Sequence, residues 1–173
     1  MKIGIITDIH SNIQALKTVL NEFDKEKVDK IICCGDIIGI GINPEETVQE
    51  LIKRQHMLIA VVGNHEKYLL NGLPKNVHDD KRTMSNEEIN ADVFLYGHTH
   101  TYNVNNKKDK WYINTGTLGC PMNSNIARAG ILEIKNGKIK FKAVNVKYNV
   151  KEIIEEINSL KFPFYKKILE IFY

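Results

Sequence analysis

The sequence predicts an α/β fold built around a parallel sheet, and two observations carry the prediction. Short β-branched runs alternate with amphipathic segments over residues 2–62, in the order strand, helix, strand, helix, strand. This alternation is typical of parallel strands joined by right-handed crossovers. The length of 173 residues is also that of one domain, so we expect residues 1–173 to form a single unit.

The first part of the chain supplies three strands and two helices. Apolar runs predict the strands at residues 2–7, 29–34 and 57–62. After the first strand, Ser11 or Asn12 is expected to cap a helix whose apolar residues recur at helical spacing. Pro44 is expected to begin the second helix. The residues predicted to face inward from this second helix are Val48, Leu51 and Ile52.

The rest of the chain is less regular. Further strands are predicted at residues 92–96 and 111–114, and a hairpin at 129–134 and 138–144 around Asn136-Gly137. Residues 150–171 form an amphipathic pattern that predicts a helix, which Pro163 should break or kink. Residues 67–91 contain no convincing strand.

Composition excludes several classes of protein. With 43% hydrophobic and 26% charged residues, the chain is neither wholly disordered nor collagen-like. Three cysteines, Cys33, Cys34 and Cys120, do not make a disulfide framework and indicate a reducing compartment. No signal peptide is evident, and no apolar run approaches the roughly 20 residues of a membrane helix. We therefore expect a cytoplasmic protein without a membrane partner.

Charge argues against a nucleic-acid partner. The net charge is +3, from 24 basic and 21 acidic residues, and only Arg54, Arg82 and Arg128 are arginines. The lysines are interleaved with acidic residues instead of forming the concentrated basic stripe of a nucleic-acid groove. Aromatic residues near the C-terminus leave two interpretations open, packing onto the sheet or a homo-oligomer surface. They are Phe162, Phe164, Tyr165, Phe172 and Tyr173.

Four polar clusters follow predicted strands directly. In chain order they are Asp8-Ile9-His10, Gly35-Asp36, Gly63-Asn64-His65-Glu66 and Gly97-His98-Thr99-His100. In an open parallel sheet, ligands bind beyond the carboxyl ends of the strands, so we expect the clusters to meet. Carboxylate, imidazole and amide oxygen together suit divalent metal ions, and the glycines allow close backbone approach. Each cluster alone has an ordinary explanation as a turn or a helix cap, but their joint order indicates a metal site.

The order D-x-H, G-D, G-N-H-E, G-H-x-H resembles that of the calcineurin-like metallophosphoesterases, from residue 3 to about residue 119. The NTGTLG stretch at 114–119 is similar to the family's Asn-x-Gly-Ser loop. The resemblance implies a four-layer αββα architecture, a β-sandwich flanked by helices. It also implies two divalent ions, with manganese favoured and iron, zinc or nickel as alternatives. The implied activity is hydrolysis of a phosphomonoester, phosphodiester or nucleotide polyphosphate by a hydroxide that the two ions activate.

The resemblance also implies roles for individual residues. One ion would be bound by Asp8, His10 and His100, the other by Asn64 and His98, with Asp36 bridging the two. His65 would act as general acid or charge stabiliser, and Glu66 would orient it. Asn12 and Thr115 would support the site or bind substrate.

The sequence departs from the family at one point. The family has a further histidine, at the end of a strand between the G-N-H and G-H-x-H blocks, which completes the second ion's ligands. Here the only histidine between Glu66 and Asp92 is His78, which we interpret as a surface-loop residue. So long a loop is uncommon in a compact domain. We therefore hypothesise that a segment is missing within 67–91, near Asn90-Ala91.

Three functions follow from these residues. We expect a metal-dependent hydrolase that acts on a small phosphate ester or nucleotide. If the natural chain lacks the further histidine, the alternative is a catalytically impaired metal-binding scaffold of the same fold. By resemblance, the small subunit of the retromer complex is an example of such a scaffold. The intact D-x-H and His65 speak against that alternative. The third is a nuclease of the same superfamily, for which no arginine-bearing groove is visible in the sequence.

Overall fold

The computed structural model describes residues 1–72, 90–122 and 124–173, and its elements alternate as the sequence predicts. The helices are α1 (Ile13–Glu26), α2 (Pro44–Ile52), α3 (Asn64–Asn71), α4 (Val150–Leu160) and α5 (Tyr165–Phe172). The strands are β1 (Lys2–Ile6), β2 (Lys30–Cys33), β3 (Leu58–Ala60), β4 (Val93–Leu95), β5 (Asn103–Lys107), β6 (Lys110–Asn114), β7 (Ile126–Lys135) and β8 (Lys138–Lys147).

The strands form two sheets. The larger has the order β3-β2-β1-β7-β8, and the smaller has the order β4-β6-β5. Strands β1, β2 and β3 pair in parallel, which confirms the predicted parallel arrangement. The hairpin of β7 and β8 turns at Asn136 and Gly137, both at positive φ, as the Asn-Gly pair predicts. As a result, the carboxyl ends of β1, β2 and β3 lie at one edge of the larger sheet.

The core explains why β1 is apolar throughout. Successive residues of a strand point to opposite faces of the sheet. Ile6 belongs to the cluster that packs helices α1 and α4 against the larger sheet, while Ile3 and Ile5 pack with Ile113 of the smaller sheet. Both faces of β1 are therefore buried. The prediction of a β-sandwich flanked by helices is confirmed.

Helix α2 corrects one prediction. Leu51 is buried, but Val48 is 38% exposed and Ile52 is 53% exposed, so these two do not face inward. The helix instead buries a narrow stripe, Thr47 and Leu51. A nine-residue helix at the periphery needs only that stripe to pack against the core.

Two elements were not predicted. Strand β5 lies between two predicted strands, where the sequence predicts none because Asn and Lys are unusual in strands. Pairing with β6 overrides that local preference. Helix α3 occupies the start of the stretch expected to be a long loop. The hypothesis of a missing segment and the interpretation of His78 rest mainly on positions outside the described residues, and both stay predictions.

The C-terminal aromatics mostly pack inward. Phe162, Tyr165 and Tyr173 contact the larger core cluster, whereas Phe164 is 83% exposed. The break predicted at Pro163 separates α4 from α5. Across the described residues, every helix is too short or too polar to cross a bilayer.

Candidate metal centre

Four of the predicted ligands meet where β1, β2 and β4 end, and we call Asp8, His10, Asp36 and His100 the first set. The Nε2 atoms of His10 and His100 are 3.0 Å apart. Oδ1 of Asp8 lies 3.9 Å from Nε2 of His10 and 3.5 Å from Nε2 of His100. Ligand atoms of Asp8, His10 and Asp36 all lie within 4.8 Å of one another. The strand ends therefore bring these groups together as predicted.

The backbone of the site is strained at its ligands. Residues other than glycine seldom adopt positive φ. Five predicted ligands nevertheless have φ between 49° and 73°: Asp8, His10, Asp36, His98 and His100. Such conformations persist where the surrounding structure imposes them, and they concentrate at functional sites. The backbone strain therefore supports a functional site at these five residues, and this support does not depend on the chemistry of their side chains.

Glycines make the close approach of these loops feasible. A Cβ on Gly63 would overlap the carboxylate of Asp36, and a Cβ on Gly97 would overlap the hydroxyl of Thr7. Both glycines directly precede predicted ligands, which is the role expected from the sequence. Any larger residue at either position would push a ligand loop away from the strand ends.

The remaining two ligands, Asn64 and His98, form the second set. Oδ1 of Asn64 lies 3.1 Å from Nδ1 of His98, so the structure brings the pair together. Asn64 is half-buried at the start of α3, and His98 is exposed. In the part of the chain that the structure describes, His98 belongs to no close group of three His, Cys, Asp or Glu side chains. The second set is thus the more open and the less complete one.

Electrostatics favour the metal-binding forms of two residues of the first set, Asp8 and His10. Burial alone raises the pKa of Asp8, but hydrogen bonds, that with His100 first, bring the pKa below its usual value. Burial, with the neighbouring charges of His65 and His100, lowers the pKa of His10 to about 3. Burial also raises the pKa of Asp36. Near neutral pH, Asp8 is therefore ionised and His10 is neutral, which are the forms that bind a metal ion.

Glu66 holds the backbone of the site. Its carboxylate accepts hydrogen bonds from the backbone N–H groups of Asp36 (3.0 Å), Ile38 (3.0 Å) and Gly63 (2.7 Å). These bonds join the loop after β2 to the start of α3. The expectation was that Glu66 orients the His65 ring, but its described hydrogen bonds go to backbone groups. Glu66 therefore positions loops.

His65 lies beside the first set. Its ring is nearly perpendicular to that of His10, with centroids 4.7 Å apart. Its backbone N–H donates to Oδ1 of Asp36 at 2.9 Å. The side chain is half-buried, so it can be reached from solvent. His65 is therefore both close to the first set and accessible.

The structure gives Asn12 a clear positioning role. Its side chain, 2% exposed, caps α1 by accepting from the N–H of Ala15 at 3.0 Å. Its amide donates to the carbonyl of Gly119 at 2.8 Å and to the hydroxyl of Tyr148 at 3.2 Å. Thr115 is buried at 1% exposure. A substrate contact of either residue stays a prediction.

Sequence reasoning missed the residues that hold Asp8. The hydroxyl of Thr117 donates to the Asp8 carbonyl at 3.0 Å, and that of Thr7 donates to its carboxylate at 2.8 Å. The N–H of His98 donates to the same carboxylate at 3.0 Å. The NTGTLG stretch could have indicated Thr117, because it contains this residue. Only Thr115 of that stretch was assigned a role from the sequence.

Comparisons with known proteins agree with this geometry. The uncharacterized protein MJ0912 of Methanocaldococcus jannaschii is 52% identical over 64 residues, which are 37% of this chain and 26% of that protein. The phosphodiesterase MJ0936 of the same organism is 24% identical over 160 residues, covering 77% of this chain and 93% of the relative. A solved metallophosphoesterase from Sphaerobacter thermophilus shares the fold with a TM-score of 0.69, at 22% identity and 97% coverage of both chains.

The alignment with MJ0936 also reveals a difference in length. It runs over 160 positions but takes up only 77% of the 173 residues here, so the relative has residues without a counterpart in this chain. The difference in length agrees with the hypothesis of a missing segment, but it does not show where in the chain that segment would lie. A family model described as calcineurin-like phosphoesterase matches residues 1–165. On this match, and on the ligand order and fold described above, the chain belongs to the calcineurin-like phosphoesterases.

Proposed function

We propose that the protein is a metal-dependent phosphoesterase that hydrolyses a small phosphate ester or nucleotide. The observation that carries the proposal is the convergence of the first set at the strand ends, where Asp8 is 0%, His10 1% and Asp36 4% exposed. Burying that many polar groups together is costly unless they are paired or coordinate a metal. Membership of the family supports the same reading.

The residues fit divalent ions by their donor chemistry. The first set offers carboxylate and imidazole groups, and Nδ1 of buried His10 has no hydrogen-bond partner among the described residues. Asp8, His10 and His100 would hold one ion, Asn64 and His98 a second, and Asp36 both. Mixed nitrogen and oxygen donors suit manganese, iron, zinc or nickel. When bound, such ions act as Lewis acids toward a phosphate oxygen.

The chain's own groups would prepare and complete the reaction. Thr7 and the N–H of His98 orient the Asp8 carboxylate, and Glu66 holds the Asp36 loop. Hydrolysis forms a new bond from a water oxygen to phosphorus as the bond to the leaving oxygen breaks. His65 stands beside these groups and, in its protonated form, would donate a proton to that leaving oxygen. No side chain needs to form a covalent intermediate in this scheme.

The substrate class is argued from charge and from relatives. Arginine is scarce, and MJ0936, which matches most of this chain, is named a phosphodiesterase. The alternative of an impaired scaffold finds no support in the curated relatives that match most of the chain. A homo-oligomer is compatible with this proposal but is not needed for it. The hypothesis of a missing segment belongs here as well, because that segment would carry the histidine that completes the second set.

Turnover of model substrates tests the proposal. Wild-type protein with added Mn²⁺ should hydrolyse bis(p-nitrophenyl) phosphate or p-nitrophenyl phosphate, and Asp36→Asn and His65→Ala should each lower the rate by about 100-fold or more. The matched controls are Asp109→Asn and His56→Ala, which change exposed residues outside the candidate site and should leave the rate unchanged. Full activity in both site variants would contradict the assignment.

A further inference from the structure

A cysteine lies beside the first set. Cys120 is fully buried and follows the NTGTLG stretch. Its Sγ and a ring nitrogen of each of His10 and His100 all lie within 4.8 Å of one another. The described part of the chain contains only one other such group, formed by Asp8, His10 and Asp36. The two groups share His10, so the sulfur adjoins the same place as the carboxylates.

Hydrogen bonds hold the backbone at Cys120 and at the preceding Gly119. Its N–H donates to the hydroxyl of Thr117 at 3.0 Å, and that hydroxyl donates to the carbonyl of Asp8 at 3.0 Å. The preceding Gly119 donates its N–H to the same Asp8 carbonyl at 3.0 Å. The carbonyl of Gly119 accepts from Asn12 at 2.8 Å and from the hydroxyl of Tyr173 at 3.2 Å. The backbone that carries Cys120 is therefore tied to the backbone of Asp8.

A buried polar atom gives a second, independent reason to expect a ligand here. His10 is 1% exposed, and its Nδ1 has no hydrogen-bond partner among the described residues. A buried histidine left unsatisfied costs stability unless something compensates it. On the other side of the ring, Nε2 of His10 lies 3.0 Å from Nε2 of His100, so these two nitrogens face each other where an ion would bind.

We propose that Cys120 is a further ligand of the ion held by Asp8, His10 and His100. This deepens the proposed function and rests on it, because it takes that ion as given. Coordination forms a sulfur–metal bond and releases the thiol proton to solvent. A thiolate shifts a site of imidazole and carboxylate toward zinc, cobalt or iron and away from manganese. Cys120 thereby determines which metal the first set prefers.

Cobalt absorption spectroscopy tests this directly on the metal-stripped full chain. Added Co²⁺ should give visible ligand-field bands, which report occupancy, and a near-ultraviolet sulfur-to-cobalt charge-transfer band, which reports the thiolate. The charge-transfer band should disappear in Cys120→Ser and in Cys120→Ala while the visible bands remain. Cys33→Ser and Cys34→Ser are the matched controls and should keep both, since neither thiol belongs to the ligand groups.

The outcomes separate this proposal from the proposed function. Visible bands without a charge-transfer band in the wild type would overturn the cysteine assignment while leaving the metal centre intact. A charge-transfer band that persists in both Cys120 variants would also overturn it. Absence of all cobalt bands would overturn both. X-ray absorption of the zinc form gives a second readout, a zinc–sulfur distance of about 2.3 Å in the wild type and none in Cys120→Ser.

Discussion

The two ligand sets differ in how the fold holds them. In the first set, Asp8 and Asp36 follow strands inside the larger sheet, and their carboxylates are oriented by hydrogen bonds from backbone groups. In the second set, Asn64 begins a short helix and His98 is exposed. The neighbouring strands, β3 and β4, lie at the ends of their sheets in the described residues. The first set is therefore held by the interior of the larger sheet, whereas the second set lies next to the edge strands β3 and β4.

This difference indicates unequal affinities for metal. Ligands held within about half an ångström of their productive geometry lose little freedom when an ion binds. The loops of the first set are restrained by hydrogen bonds that continue the pairing of β1 and β2: the N–H of His10 donates to the Asp36 carbonyl at 3.0 Å. The second set has fewer such restraints. We therefore expect the first set to bind its ion more tightly.

Loss of one histidine from each set gives the largest expected effect. His100→Ala should weaken binding of the tighter ion by about 100-fold, because it removes a ligand from a preorganised site. His98→Ala should leave that affinity nearly unchanged and affect only the weaker ion. Isothermal titration of metal-stripped protein with Mn²⁺ or Zn²⁺ measures both. Equal weakening in the two variants would show that the sets are not distinct.

The next effect concerns the residue that joins the two regions. Glu66→Ala leaves the N–H groups of Asp36, Ile38 and Gly63 without their acceptor. We expect the free energy of unfolding to fall by about 2–3 kcal/mol, the cost of unsatisfied and partly buried donors. Urea unfolding measures it. Glu45→Ala, at the exposed start of α2, is the control and should change stability by less than about 0.5 kcal/mol.

A smaller effect should appear in the pH dependence of the metal-free protein. The pKa of His10 is 6.5 when unfolded and about 3 when folded, so between these values the unfolded chain binds a proton that the folded protein does not. The stability that His10 contributes is complete above about pH 6.5 and is lost as the pH falls toward about 3. His10→Asn should flatten this part of the profile. Parallel wild-type and variant profiles in urea unfolding would refute the argument.

The smallest effect is expected next to the edge strand β3. Val62 is 56% exposed near the end of β3, whereas Ile5 is 1% exposed in the centre of the larger sheet. Val62→Ser should change the free energy of unfolding by less than about 0.5 kcal/mol, and Ile5→Ala should lower it by about 2–5 kcal/mol. Thermal unfolding of both variants provides the comparison. A large loss of stability in Val62→Ser would contradict the exposed position of the Val62 side chain.

The sequence predicted that the residues of the first set would converge, and the reason is physical. Asp8 and Asp36 follow apolar runs that form parallel strands, and topology alone then places them at one edge. Helix α1 was likewise predictable, because Asn12 caps it as expected. The features of the fold that depend on local periodicity and strand topology could therefore be predicted from the sequence.

What the sequence could not predict depends on tertiary contacts. Strand β5 has a polar sequence and exists through its pairing with β6. Thr117 and Cys120 lie beside the first set because the loop after β6 hydrogen-bonds to Asp8. Val48 and Ile52 were predicted to be buried from their apolar character, but α2 packs through a narrower stripe. Such contacts join residues far apart in the chain, and no local pattern encodes them.

Simultaneous measurement of Mn²⁺ binding and of bis(p-nitrophenyl) phosphate hydrolysis, on metal-stripped protein titrated with Mn²⁺, tests the central claim most directly. Two unequal sets predict a tight and a weak binding step, with no turnover before metal is added and most turnover appearing as the weak step fills. Turnover in fully stripped protein would contradict the metal centre. Two equal steps, or full turnover at one equivalent, would contradict the division into a tightly and a weakly binding set.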